Sequence, residues 1–361
     1  MRHFSIVVLL VLLGTCNLAL SQSKDSDKGQ FSGNLLMTYQ KYVRDDSIGA
    51  TTKVYKENTA SADAWLFMQY RIKGYSFILR YDAFNNSPLL DPQDAYTNHG
   101  IGFWQINKSV DKLDITMGSF YDQFGTGILF RAYEQRQIGI DYAIQGMRLK
   151  YNINDKWAVK GFAGNQKGNI KNRFGFANQV ISGLNIEGNI DLGKDSKYGA
   201  LQVGASAVNR TLDRETMDRL VGTINTYDLA DRFYPKYNVY GGNAYFTYTK
   251  DNFSWTVEGN VKSKEAIMDD NTKFYLRSGK VLYSSMSWGK GGWNLGGQKA
   301  SIGLNVQARH VDNFSFRTAP TENLLNGLVS YLPSMTRQNT YRLLSRYNAP
   351  GQAMGEDGIQ G

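Results

Sequence analysis

Between residues 62 and 309 the chain is written in segments of about ten residues in which apolar and polar side chains take turns one by one. A period of two sends successive side chains to opposite faces of an extended strand, so each segment is greasy on one face and wet on the other. In 62–72 the apolar face carries Ala64, Leu66, Met68, Tyr70 and Ile72, against Asp63, Gln69 and Arg71. Tyr75, Phe77, Leu79 and Tyr81 then oppose Ser76, Arg80 and Asp82. The pattern persists in 179–192, where Leu184 and Ile186 face away from Asn185 and Glu187. It returns in 253–262, with Trp255 and Val257 against Glu258 and Asn260, and after Ser301, with Ile302 and Leu304 against Asn305 and Gln307. An apolar exterior around a charged interior is the arrangement of a barrel in lipid, the inverse of a soluble one. The expected fold class is all-β: a transmembrane antiparallel up-and-down β-barrel. The usage of 37 Gly, 23 Tyr and 18 Phe beside only 6 Pro agrees, because aromatics suit pleated surfaces and glycine suits turns.

The connections carry the same message. Tight turns at Lys73-Gly74, 108–112, Asn154-Asp155, 193–196 and 250–252 alternate with long polar loops at 44–61, 85–98, 122–142, 166–177, 211–236 and 266–274. Outer-membrane barrels keep short turns on the periplasmic side and long loops outside, so the alternation assigns both ends of each hairpin. Aromatics gather at the tight turns, Tyr70 with Tyr75, Tyr151 with Trp157, Tyr248 with Phe253 and Trp255, and Trp288 with Trp293, as an inner interfacial girdle. About thirteen strands are expected by His310, with a further one at 340–347, which makes about 14 visible. The tail 351–361 reads as polar, with no closing strand. An unsealed edge leaves backbone groups unpaired in lipid, so the expectation is a C-terminally incomplete piece of a longer protein, the alternative being closure within the chain.

Residues 1–21 begin with Arg2 and His3, run apolar from Ile6 to Leu13 and end in Ala19-Leu20-Ser21. That order reads as a secretory signal peptide cleaved before Gln22. Cys16 opens a lipoprotein alternative, with Thr15 where Gly or Ala is wanted. Cleavage at Ser21 removes the only cysteine and with it thiol chemistry. A polar periplasmic leader, 22–29, follows; its Asp25 and Asp27 lack the remaining positions of a calcium loop. The barrel is expected over 30–361. No later apolar run reaches the ~18 residues of a spanning helix. The formal charge of +9, one unit less without Arg2, is scattered along the chain and gives no footing for nucleic acid.

In the loop after Arg210, Met217, Leu220, Val221 and Ile224 keep helical spacing behind Asp213 and Glu215, which predicts a short helix at the loop-side mouth. It serves either to pack its own loop or to gate the mouth.

The densest polar-aromatic stretch is 118–148, with Gly118-Ser-Phe-Tyr121-Asp-Gln123-Phe-Gly125-Thr-Gly127, Arg131-Ala-Tyr-Glu134-Gln-Arg136 and Gly139-Ile-Asp141-Tyr-Ala-Ile-Gln-Gly146. A second segment, Tyr331-Leu-Pro-Ser-Met-Thr-Arg337-Gln-Asn-Thr-Tyr341, is equally distinctive. On these two segments the chain resembles a family of uncharacterised Bacteroidota outer-membrane β-barrel proteins, domain of unknown function 6029. The resemblance implies a barrel and an outer-membrane address, and further strands beyond this chain's end; it brings no substrate and no catalytic residue. Read from the residues, Gly125 and Gly127 permit a sharp bend, and Tyr121, Gln123, Arg131, Glu134 and Arg136 are candidates for a pore constriction. The other reading is that these groups pair with one another and fix the loop to the inner wall.

Enzymatic readings find little. Only His99 and His310 survive signal removal, no Gly-x-Ser-x-Gly elbow is present, and no histidine pair has zinc spacing. Asp45-Asp46 and Asp269-Asp270 are acidic pairs in loops, read as solvated. No enzyme and no cofactor is expected. The leading functional expectation is porin-like passage of small hydrophilic solutes. The alternative is a non-conducting binding or assembly component whose long loops meet other envelope proteins. In both cases the bilayer and lipopolysaccharide of a bacterial outer membrane are the surroundings.

Overall fold

The computed structural model of the protein describes residues 28–87, 96–136, 139–168, 172–268, 273–296, 298–322, 326–332 and 356–360. Five strands come first: β1 Gln30–Lys41, β2 Ala60–Ile72, β3 Tyr75–Ser87, β4 Tyr96–Val110 and β5 Leu113–Phe120. Four short ones follow, β6 Asp122–Phe124, β7 Phe130–Ala132, β8 Glu134–Gln135 and β9 Ile140–Asp141. The chain then continues through β10 Ile144–Asn152, β11 Trp157–Lys167, β12 Phe176–Asp191, β13 Ala200–Thr211, β14 Asn238–Lys250, β15 Phe253–Met268, β16 Phe274–Leu295, β17 Gln298–Asp312 and β18 Glu356–Gln360. Helices are minor: α1 Lys53–Glu57 and α2 Arg214–Asn225.

All strands except β6 to β9 join one antiparallel sheet of 14, each paired with its neighbour along the chain, β10 following β5. The all-β, up-and-down architecture read from the period-two pattern is therefore the architecture observed. Two-residue turns at 73–74, 111–112 and 251–252, with somewhat longer ones at 153–156 and 192–199, define a turn side. Connections 42–59, 88–95, 121–143, 168–175, 212–237 and 269–273 define a loop side. Short and long alternate as the sequence indicates.

The last strand differs from expectation. The sheet's fourteenth member is β18, whose residues pair with 307–311 of β17, inside the tail read as strandless. Its sequence, Glu-Asp-Gly-Ile-Gln, holds one apolar residue, so no alternation announces it; the open backbone edge of β17 supplies the partner. The segment 340–347 lies outside the described residues, as do 1–27, with the expected signal and Cys16, and Asp269-Asp270. β1 and β18 form the two edges of the sheet, and no pairing joins them among the described residues.

The outward face is greasy where the sequence places it. Tyr75, Phe77 and Tyr81 on β3, Val180, Leu184 and Ile186 on β12, and Ile302 and Leu304 on β17 are all exposed. Apolar surface this continuous is unfavourable against water and at home against lipid chains. Tyr70, Tyr75, Tyr151, Trp255, Trp288 and Trp293 stand outward near the turn side. No helix among the described residues is long and apolar enough to cross a membrane.

Candidate functional site: a filled interior

The inward rows change character along each strand. On β13, Gln202 near the turn is exposed, while Ser206, Val208 and Arg210 toward the loop side are buried. On β15, Ser254 and Thr256 are half-buried and Glu258, Asn260 and Lys262 buried. On β17 the order is Asn305 exposed, Gln307 half-buried, Arg309 and Val311 buried. On β3, Ser76 and Ile78 are half-buried, whereas Arg80, Asp82 and Phe84 are buried. The loop-side half of the interior is thus occupied, and the turn-side half is open, lined by neutral polar groups on β13, β15 and β17 and by Asp114, Arg148, Lys150, Lys160 and Glu187 on β5, β10, β11 and β12.

Two segments do the filling. In 121–143, β6 pairs with β7 as a small hairpin, with Phe124 opposite Phe130. Phe130 stacks on Phe162 of β11 at 4.4 Å between ring centroids, and Phe120 and Phe124 approach the same ring at 5.9 and 5.6 Å. The second segment, 313–332, inserts Phe314, Phe316, Val329 and Leu332 beside them. The resulting core also includes wall residues Ile181, Val208, Val239, Val281 and Val311 from β12, β13, β14, β16 and β17, so the sheet wraps around it. The segments are tied together by backbone: Arg131 N–H donates to the Val329 carbonyl at 3.0 Å, and Tyr331 N–H to that of Gly127 at 3.2 Å. The apolar run Ile128-Leu129-Phe130 in a loop otherwise polar was the available sign that this loop turns inward.

Charged anchors surround the core, each on an inward strand position. The Arg80 guanidinium, 2% exposed, donates through Nε to Asp82 at 2.7 Å and reaches Glu134 at 2.6 Å and Asp141 at 3.0 Å. Lys167 of β11 donates to Asp141 at 2.7 Å and to the Gly102 carbonyl at 2.6 Å. A Cβ at Gly102 would lie 2.0 Å from an Asp82 oxygen, so glycine there makes room for the carboxylate. Across the interior, Glu258 accepts the Thr126 N–H at 2.7 Å and holds the tip of the hairpin. Gly125 beside it has φ +56°, and a Cβ would come 2.7 Å from Glu258 Oε2. Arg210, Glu265 and Lys262 form a third cluster, in which Arg210 donates to the Thr318 carbonyl at 3.3 Å and Lys262 to that of Ser315 at 2.5 Å. Buried charges persist only when paired and hydrogen-bonded, and these pairs clamp each filling segment to the wall.

The five residues singled out from sequence all lie in the first filling segment. Tyr121 donates its hydroxyl to Asp141 at 2.9 Å. Glu134 joins Arg80 to Arg136, the latter at 3.0 Å. Arg131 sits between the Tyr133 and Tyr331 rings, 4.7 and 4.3 Å from their centroids. Gln123 is exposed and donates to the Gly125 carbonyl at 3.3 Å. Three of the five, Tyr121, Glu134 and Arg136, therefore belong to one assembly around Arg80, Arg131 belongs to a separate ring stack, and Gln123 belongs to neither. Reading the loop alone misses the wall residues that hold it, Arg80, Asp82, Lys167 and Glu258, which look like ordinary wet-face residues of their strands. Elsewhere, Asp45 accepts from Ser47 and Asp46 pairs with Arg44 at 3.0 Å, so this acidic pair is used within its own loop.

At the loop-side mouth α2 lies over the filled half. Met217, Leu220 and Ile224 bury against Leu212, Ala266, Phe274 and Ala319. Its N-cap is Asp213, which accepts the Thr216 N–H at 3.1 Å and a Gln179 amide at 2.5 Å. Partial burial pushes the Asp213 carboxyl up, but the hydrogen bonds from Thr216 and Gln179 outweigh it and hold the group below the usual carboxylate range.

An apolar outer face, a wet inner face and strictly alternating turns define an up-and-down β-barrel type of protein with a packed interior. The chain belongs to the family of unknown function DUF6029, which matches residues 1–361. Among solved structures it is similar to OprB of Pseudomonas putida, with 14% identity, 78% of this chain and 75% of that one covered, and a TM-score of 0.40. It is likewise similar to OccK8 (OprE) of Pseudomonas aeruginosa, at 7% identity over 79% of this chain and 89% of that chain, TM-score 0.36. OpdK of the same organism, solved with vanillate, follows at 7% identity, 83% and 84% coverage and TM-score 0.37. Likeness this distant transfers no residue and no substrate. No curated protein matches the chain.

Proposed function

We propose that the protein is a bacterial outer-membrane β-barrel whose loop-side interior is closed by its own chain, and that it acts as a binding or assembly component and not as an open porin. The observation that supports this is the burial gradient along β3, β13, β15 and β17, open and polar at the turns, packed at the loops. With turns toward the periplasm, the open half is a periplasm-facing vestibule, and the long loops with α2 meet whatever lies outside. No catalysis is assigned to it. Residues 121–143 serve as a fixed inner wall, with Arg131, Glu134 and Arg136 holding position.

A second reading, passage of small hydrophilic solutes, is favoured by the hydroxyl and amide lining of the open half, Gln202, Thr256, Ser285 and Gln307. It requires the β6–β7 hairpin to leave the interior. Planar-bilayer recording separates the two. The wild-type protein is expected to show no steady porin-size conductance, and Gly125→Ala, which drives a Cβ toward Glu258, is expected to introduce brief openings. Steady large conductance from the wild type would establish the solute-passage reading instead. Recovery of the exported protein in a detergent-free soluble fraction would defeat the membrane assignment itself.

A further inference from the structure

On the outer face at the turn side, the ends of β14, β15 and β16 enclose a groove of about 360 Å³. Tyr248, Phe253 and Trp288 form its apolar wall, and Lys250 and Lys290 stand at its rim with a single acid, Asp251. The register places Phe253 beside Trp288 across β15 and β16, and Lys250 beside Phe253 across the tight turn, so rings and ammonium groups are held by the ladder itself. Gly289 N–H donates to the Asn252 carbonyl at 3.1 Å and closes the groove's floor. The Lys250 ammonium and its rim neighbour differ in freedom: Lys290 lies 5.7 Å from the Trp293 ring, whereas Lys250 has no side-chain partner among the described residues.

We infer that this groove is a binding site for the headgroup of an anionic phospholipid of the inner leaflet, a reading that rests on the outer-membrane orientation proposed above. The two lysines receive the phosphate, and the first carbons of an acyl chain lie along Phe253 and Trp288. Two lysines against one aspartate leave a net positive rim at the depth where phosphates sit, and aromatic rings at that depth have one edge in water and one in hydrocarbon. Lysine over an outward aromatic recurs along the turn side, with Lys108 4.1 Å from the Tyr75 ring and Lys197 5.6 Å from that of Tyr198. At the β14–β16 site a groove and a second lysine join the same motif.

The test uses the full chain folded in detergent and titrated with phosphatidylglycerol or phosphatidylcholine, with bound lipid counted by native mass spectrometry. One phosphatidylglycerol is expected to be retained at least tenfold more strongly than phosphatidylcholine. Lys250→Gln with Lys290→Gln is expected to abolish that preference, whereas Lys197→Gln leaves it intact. Equal retention of both lipids, or a double variant that keeps the preference, overturns the site. Displacement by inorganic phosphate at equal concentration would mark it as a free-anion site and not a lipid site. Insertion into vesicles, followed by heat-dependent gel mobility, is measured in parallel: a chain that inserts without the lipid preference refutes only the groove, and one that never inserts refutes the orientation beneath it.

Discussion

The two halves of the interior are built from the same strands and obey opposite rules. Toward the turns, the inward positions of β13, β15, β16 and β17 hold Gln202, Thr256, Ser285 and Gln307, neutral groups left partly open. Toward the loops, the same rows hold Arg210, Lys262, Glu258 and Arg309, ionisable and buried. A charge that keeps access to water needs no partner, while one removed from water must find a counter-charge or a hydrogen bond. In this contrast Arg80, Lys167, Glu258, Arg210 and Lys262 act as sockets for the inward segments, each meeting an atom of 121–143 or of 313–332.

The largest expected effect comes from Arg80→Met, which deprives Asp82, Glu134 and Asp141 of their shared guanidinium. Leaving a buried cluster short of its partner costs about 3–5 kcal/mol, to be read as a lower urea midpoint for the vesicle-folded protein. A midpoint unchanged from wild type would show that water reaches the loop-side half and would erase the contrast. A smaller effect is expected at the mouth, where Asp213→Ala removes the α2 cap at a cost of about 1 kcal/mol. Because the folded carboxyl lies below its ordinary value, its contribution is complete above the ordinary carboxylate pKa of about 4 and is lost as pH falls through the lower folded value. The protection of α2 amides, taken relative to the intrinsic exchange rate at each pH, should accordingly fall on acidification in the wild type and show little such pH dependence in the variant. Smallest of all is Thr256→Val on the open half, expected to shift stability within about 0.5 kcal/mol. A penalty there as large as that of Arg80→Met would mean the turn-side half is packed as well.

The sheet was legible because its signal is local and repeated. Period two, apolar on one face and wet on the other, appears in each hairpin, and thirteen strands follow from it. β18 escaped because five residues with one apolar side chain carry no period. The candidate residues Arg131, Glu134 and Arg136 were visible as charge in a glycine-flanked loop, but whether that charge faces a pore or a partner depends on Arg80, which lies 54 residues from Glu134 along the chain. The second filling segment was likewise hidden: Phe314 and Phe316 look like the fraying end of β17 until Phe130 and Phe162 are seen to meet them.

Residue order by itself determined the all-β architecture, the side of the sheet that meets lipid and the alternation of turns and loops, since each follows from contacts between near neighbours and from the two-fold pleat. Only the tertiary structure decided that the loop-side interior is occupied. Filling it is a matter of which apolar runs can reach a shared core, and of buried charges that find counter-charges far away in sequence, neither of which leaves a periodic trace along the chain.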